Sequence, residues 1–175
     1  MLRVALTGPE STGKSTLSRR LAAHYRTAWA PEYARQYLEE RGPRYTLPDL
    51  EEIARGQLRH EAAAEQEARH RGRPVVFFDT DLLVIQIWAE HAFGECPAWI
   101  ARHVQEHRYD LTLLLHVDVP WEPDPLREHP HQRDYFFRLY QQRLHELGGP
   151  VAEISGPPAQ RLAQAVAAVE GVMGW

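Results

Sequence analysis

The chain contains a single lysine, Lys14, while every other member of its 20 basic residues is arginine. Lys14 lies in the stretch GPESTGKS, where Gly8, Gly13, Lys14 and Ser15 follow the spacing G-x-x-x-x-G-K-[ST]. Small residues at both glycine positions let successive backbone N–H groups turn inward around an anion, and a helix that starts at once directs its positive end there. A lysine at that spacing reaches the outer phosphates of a polyphosphate, and the Ser15 hydroxyl is placed to serve a magnesium ion. Arginine is a planar fork suited to paired contacts, so it does not replace a compact ammonium on a slender stem. For this composition the pattern arises by chance on the order of 2 times in 10,000.

A phosphate cradle of this P-loop kind needs a carboxylate near the magnesium. The apolar run PVVFFD ends in Asp79, which fits the role of holding a magnesium-bound water. Asp81 falls at the start of the next helix, where it either caps that helix or points toward a substrate. In APEYARQYLEERG, Glu32 lies at a strand-to-helix turn and Arg35 follows about one helical turn later. Glu32 is thus a candidate to accept a hydroxyl proton, or else a first-turn glutamate facing the helix dipole. The segment 119–133, VPWEPDPLREHPHQR, is too long and too rich in proline for an ordinary connection and is expected to form either a mobile lid or a surface loop without a role in the site. It carries Arg127 and Arg133, placed to offset charge on a phosphoryl group in transfer.

The elements that must position these residues alternate. Apolar runs at 2–7, 27–30, 74–79, 111–118 and 151–155 predict five strands, with helical spacing over 15–25, 31–41, 48–71, 81–92, 97–106, 132–147 and 158–170. That alternation predicts one α/β domain, a three-layer αβα P-loop kinase-like fold around a mostly parallel five-stranded sheet. The charged helix 48–71 is expected to face solvent or a second subunit, with Glu61 and Glu65 among its surface charges, so a homo-oligomer stays open.

Composition narrows the classes. At 175 residues, 43% hydrophobic and 25% charged, the chain is an ordinary globular domain. Its formal charge of -4 argues against a nucleic-acid coat, and no apolar run reaches the roughly 20 residues of a membrane helix. The lone Cys96 and an N-terminus that runs directly into a strand pattern lead to the expectation of a cytoplasmic protein. With no asparagine and no second lysine, the chain lacks the N-K-x-D motif by which GTPases read guanine. A compact kinase is the class that remains, with ATP or GTP as donor left open.

Taken together, GPESTGKSTL, PEYAR, FFDTDLLV, YDLTLLLHVDVPWEPDPLREHP and the closing ISG resemble, in order, the ribosylnicotinamide kinase domain of NadR-type proteins, from Arg3 to about Leu162. The resemblance implies ATP- and Mg2+-dependent phosphorylation of the ribose 5'-hydroxyl of nicotinamide riboside, giving nicotinamide mononucleotide for NAD salvage. Gly8, Glu10, Ser11, Thr12, Gly13, Lys14, Ser15 and Thr16 then hold phosphates, and Ser15 with Asp79 arranges the metal. Glu32 or Asp81 orients the hydroxyl. A cationic pyridinium favours aromatic faces beside carboxylates, which makes Tyr33, Trp88 and Trp121, with Arg35 nearby, the candidates to surround the acceptor. In related kinases the turn after the last strand often packs the adenine, which here implicates Ser155 and Gly156. Two other readings share these residues: a kinase of another nucleoside or small metabolite, and a non-catalytic ATP-binding sensor of nicotinamide nucleotides.

Overall fold

The computed structural model describes residues 1–127 and 131–174, so residues 128–130 of the expected lid and Trp175 lie outside the described residues. Five strands form one sheet: β1 (Leu2–Thr7), β2 (Trp29–Ala30), β3 (Val75–Asp79), β4 (Leu111–Leu115) and β5 (Val151–Ile154). Their order is β2-β3-β1-β4-β5, and all four pairings are parallel. The helices are α1 (Lys14–Tyr25), α2 (Tyr33–Arg41), α3 (Leu47–His70), α4 (Leu82–Phe93), α5 (Ala98–Glu106), α6 (Arg133–Leu147) and α7 (Pro158–Met173).

Alternation along each strand builds the two apolar layers. In β3, Val75 and Phe77 turn toward Leu17 and Leu21 of α1 and Val169 of α7, while Val76 and Phe78 pack with Ala64 and Ala68 of α3. In β4, Leu111, Leu113 and Leu115 join the α1–α7 side, and Leu114 joins the cluster built by α2 to α6. Strands covered on both faces read as continuous apolar runs, as VVFF and LTLLL do.

Helix α3 departs from expectation. Its start is fixed by a capping box in which the Thr46 hydroxyl accepts from the Asp49 N–H. One face of it is buried, including Leu50, Ile53, Gln57 and Ala64. Glu61 belongs to that face and is 3% exposed, so it is no surface charge: the Tyr109 hydroxyl donates to it, and Arg3 stands 3.6 Å away. Exposed pairs on its solvent side include Glu51 with Arg55 and Glu67 with Arg71, while the half-buried Glu65 bridges Arg69 and Arg3.

The sheet brings one chemical residue after another to its carboxyl edge. The GPESTGKS loop follows β1, Glu32 follows β2, Asp79 ends β3, and the 119–133 segment and the Ser155–Gly156 turn follow β4 and β5. Strand β1 lies between β3 and β4, where the winding reverses direction and ligands of open α/β sheets bind.

Candidate active site

A cleft of about 450 Å³ opens at that edge, and Gly8, Glu10, Ser11, Thr12, Gly13, Lys14, Ser15 and Thr16 all line it. Two glycines are required by geometry. Gly8 has φ 133° and a Cβ there would meet the Leu115 carbonyl oxygen at 3.0 Å, while Gly13 takes φ 83° as it leads into α1. The Lys14 ammonium donates to the carbonyl oxygens of Gly8 and Pro9, 2.8 Å each, and so lies along the loop rather than out in solvent. No side chain among the described residues caps the start of α1, which leaves its first turn to serve an anion.

Asp79 is buried at the end of β3, and its Oδ1 has no hydrogen-bond partner among the described residues. Burial and the charge of Glu32 push its carboxyl up to about 6, against the opposing pull of the Ser15 hydroxyl and Lys14. Asp79 does not itself line the cleft, but Glu32, Ser15 and Lys14 all do. A buried oxygen without a partner, grouped with a serine hydroxyl, is a donor set that fits a hard cation such as magnesium. The backbones carrying the two carboxylates are tied by a residue that sequence reading passed over. Gln57 of α3 accepts from the Tyr33 N–H at 3.0 Å and donates to the Asp79 and Thr80 carbonyls at 3.5 and 3.4 Å.

Asp81 does not reach the cleft. It is 2% exposed, its Oδ1 accepts from the Val84 N–H at 3.2 Å and the Thr7 hydroxyl at 3.3 Å, and burial pushes it up to about 6. Of its two expected fates, capping α4 is the one the fold adopts. Tyr33 is likewise turned away, edge-on to His60 with ring centroids 5.1 Å apart and packed over Gly56. Trp88 does line the cleft, stacked on Tyr45 at 5.4 Å.

The 119–133 segment closes the opposite wall through Glu122, Leu126, Arg127 and Arg133. Arg127 donates to the Ser11 hydroxyl at 3.2 Å, the Glu122 N–H to the same oxygen at 2.9 Å, and Arg133 to the Ser11 carbonyl at 3.0 Å. Arg35 lines the cleft and holds Asp124 of this segment at 2.6 Å. Trp121 is not among the lining residues; its ring lies 5.9 Å from the guanidinium carbons of both Arg127 and Arg133, which do line the cleft. Ser155 and Gly156 also fall outside the wall, their N–H groups given to Gln164 and Asp118. At that end the cleft presents Arg20, Pro158 and Arg161 instead.

Residues 3–161 match the AAA domain family. The chain belongs to that family. The chain is 34% identical over 130 residues to the trifunctional NAD biosynthesis/regulator protein NadR of Salmonella typhimurium, and equally to that of Escherichia coli. Each alignment covers 71% of this chain and 30% of the relative, so the chain spans about a third of the length of these proteins. Among solved structures it is similar to NadR in complex with NR (TM-score 0.80) and to NadR in complex with NAD and AMP-PNP (TM-score 0.78). Both are 25% identical and cover 99% of this chain and 50% of theirs. Deoxyadenosine kinase from M. mycoides has the same fold at TM-score 0.60 and 11% identity, covering 97% of this chain and the whole of that one. This AAA-domain protein is therefore a nucleotide-binding P-loop domain of kinase-like fold, related to proteins of NAD biosynthesis. No described helix is long and apolar enough to cross a membrane.

Proposed function

We propose that this AAA-domain protein is an ATP- and magnesium-dependent kinase that phosphorylates the ribose 5'-hydroxyl of nicotinamide riboside, giving nicotinamide mononucleotide. The observation that carries the reading is one cleft lined together by the phosphate cradle, the carboxylate of Glu32 and the guanidinium groups of Arg127 and Arg133. A cradle alone serves any nucleotide binder; a carboxylate and two guanidinium groups facing it serve phosphoryl transfer. The NadR complexes with NR and with AMP-PNP support the acceptor and the donor respectively.

In this reading Lys14 exchanges its two carbonyl contacts for the outer phosphates of ATP. Ser15 and Asp79 would hold magnesium, which when bound offsets charge on the β- and γ-phosphates. Glu32 accepts the proton of the 5'-hydroxyl as that oxygen bonds to the γ-phosphorus. The bond from that phosphorus to the bridging oxygen of ADP breaks, with Arg127 and Arg133 offsetting the developing charge. The segment 119–133 acts as a lid that keeps water, a competing acceptor, away. The face of Trp88 not stacked on Tyr45 receives the cationic pyridinium, with Glu32 supplying negative charge in the same cleft.

Incubation with ATP or GTP, magnesium and a panel of nucleosides tests the proposal. Phosphorylated nicotinamide riboside is the expected product. Preferential phosphorylation of a different nucleoside would change the acceptor, and nucleotide binding without transfer to any acceptor would leave a sensor.

A further inference from the structure

Arg161, in the first turns of α7, is 4% exposed, and its guanidinium joins three separate loops. Nη1 donates to the Thr12 carbonyl at 2.7 Å, Nε to the Gly156 carbonyl at 2.7 Å, and Nη2 to the His116 carbonyl at 3.0 Å and to the Asp118 carboxylate. Asp118 also accepts from the Gly156 N–H and immediately precedes the 119–133 segment. One buried side chain thus fastens the phosphate loop, the end of β4 and the β5–α7 turn together.

The bond to Thr12 fixes more than a distance. The peptide units of the described chain are trans, so the Thr12 C=O and the Gly13 N–H belong to one plane and point in opposite directions. Arg161, itself on the cleft wall, holds the Thr12 oxygen and so turns the Gly13 N–H the opposite way, at a glycine that lines the same cleft. Gly13 adopts φ 83°, a region open to glycine but not imposed by it, so the orientation of this peptide depends on what holds its oxygen. Lysine cannot replace the fork, because a single ammonium does not reach four acceptors spread over three loops.

We propose that Arg161 is the positioning residue of the phosphate cradle: it presets the Gly13 N–H toward a bound polyphosphate. The inference rests on the nucleotide-binding part of the proposed function and not on the identity of the acceptor.

Calorimetric titration of ATP, inorganic tripolyphosphate and adenosine, each with magnesium, into the unaltered protein, Arg161→Gln and Arg161→Lys decides it, with thermal denaturation of each protein alongside. ATP and tripolyphosphate are expected to lose affinity by a similar factor, roughly 10- to 100-fold, in both variants, with adenosine affinity falling by a clearly smaller factor. In turnover the loss appears in KM for ATP, with KM for the acceptor changing less than about twofold. Wild-type affinity for tripolyphosphate in a folded variant, or weakened adenosine binding with tripolyphosphate unaffected, overturns the proposal. Full rescue by lysine overturns it too, and the lysine variant decides if the glutamine variant is unfolded. A protein that binds ATP yet fails to phosphorylate nicotinamide riboside refutes the kinase reading while leaving these binding ratios to decide this one.

Discussion

A Cβ built on Gly56 would stand 2.0 Å from the ring of Tyr33, so helices α2 and α3 approach each other across a position that only a hydrogen can occupy. A glycine inside a helix ordinarily costs roughly 1 kcal/mol relative to alanine, and alanine at such a place usually stabilises. Here the sign reverses, because the obstruction is the body of a ring and not the end of a flexible chain. Gly56→Ala is expected to lower the unfolding free energy by about 2 kcal/mol or more, and Tyr33→Leu in the same chain to restore part of it. Denaturant melts of the two single variants and the double variant measure this, and an unchanged or raised midpoint for Gly56→Ala would contradict the packing described.

Glu32 lines the cleft and Asp81 does not, so the two carboxylates that the sequence left as alternatives should separate on substitution. Glu32→Gln is expected to lower kcat by about 10²- to 10⁴-fold with little change in KM for ATP, the loss of a general base. Asp81→Ala removes a helix cap, and is expected to cost about 1 kcal/mol of stability while kcat keeps its order of magnitude. Steady-state kinetics beside thermal melts distinguish the two, and the opposite pattern would exchange their roles.

The divide between what was legible in the sequence and what was not follows range along the chain. GPESTGKS, FFD and the alternating apolar runs are local patterns, and the strand sites, helix sites and kinase-like fold follow from them. The cradle residues share one loop, so reading them required no knowledge of the tertiary arrangement. Tyr33 and Trp121 were expected to grip a base because aromatic rings near a site can do so. Their directions are set by partners distant in sequence, Gly56 for one and Arg133 for the other. Arg161 was passed over for the same reason: nothing near it in the chain marks it, and its value lies in carbonyls at Thr12 and His116. Glu61 was misread because a glutamate in a charged helix carries no local sign that Tyr109 covers it.

Asp79 must be ionised to serve a cation, and burial with the neighbouring Glu32 pushes its carboxyl up to about 6. Magnesium-dependent ATP affinity is therefore expected to be full above that value and to fall as pH drops through it. The cation competes with the proton, so more magnesium should move the midpoint downward. Titrations at two magnesium concentrations across pH 5 to 8 test this, with Asp79→Asn losing the magnesium-dependent part at every pH. A midpoint indifferent to magnesium would remove Asp79 from the metal site.

Glu61 gives a stability prediction of opposite sign to the usual carboxylate. Burial pushes it up to about 8, only partly opposed by the Tyr109 hydroxyl and by Arg3, whose closer partner is Glu65 at 2.7 Å. A carboxyl raised from 4.5 in the unfolded chain binds its proton more tightly when folded. Its stabilising contribution is present below 4.5 and is lost as pH rises through about 8. Over that window the slope reaches at most about 1.4 kcal/mol per pH unit from this group. Glu61→Gln keeps an acceptor for Tyr109 and carries no charge, so it is expected to match the unaltered protein near pH 5 and to be more stable at pH 9. Denaturation midpoints of both proteins from pH 5 to 9 test this, and parallel curves would show that Glu61 is charged in the folded protein throughout.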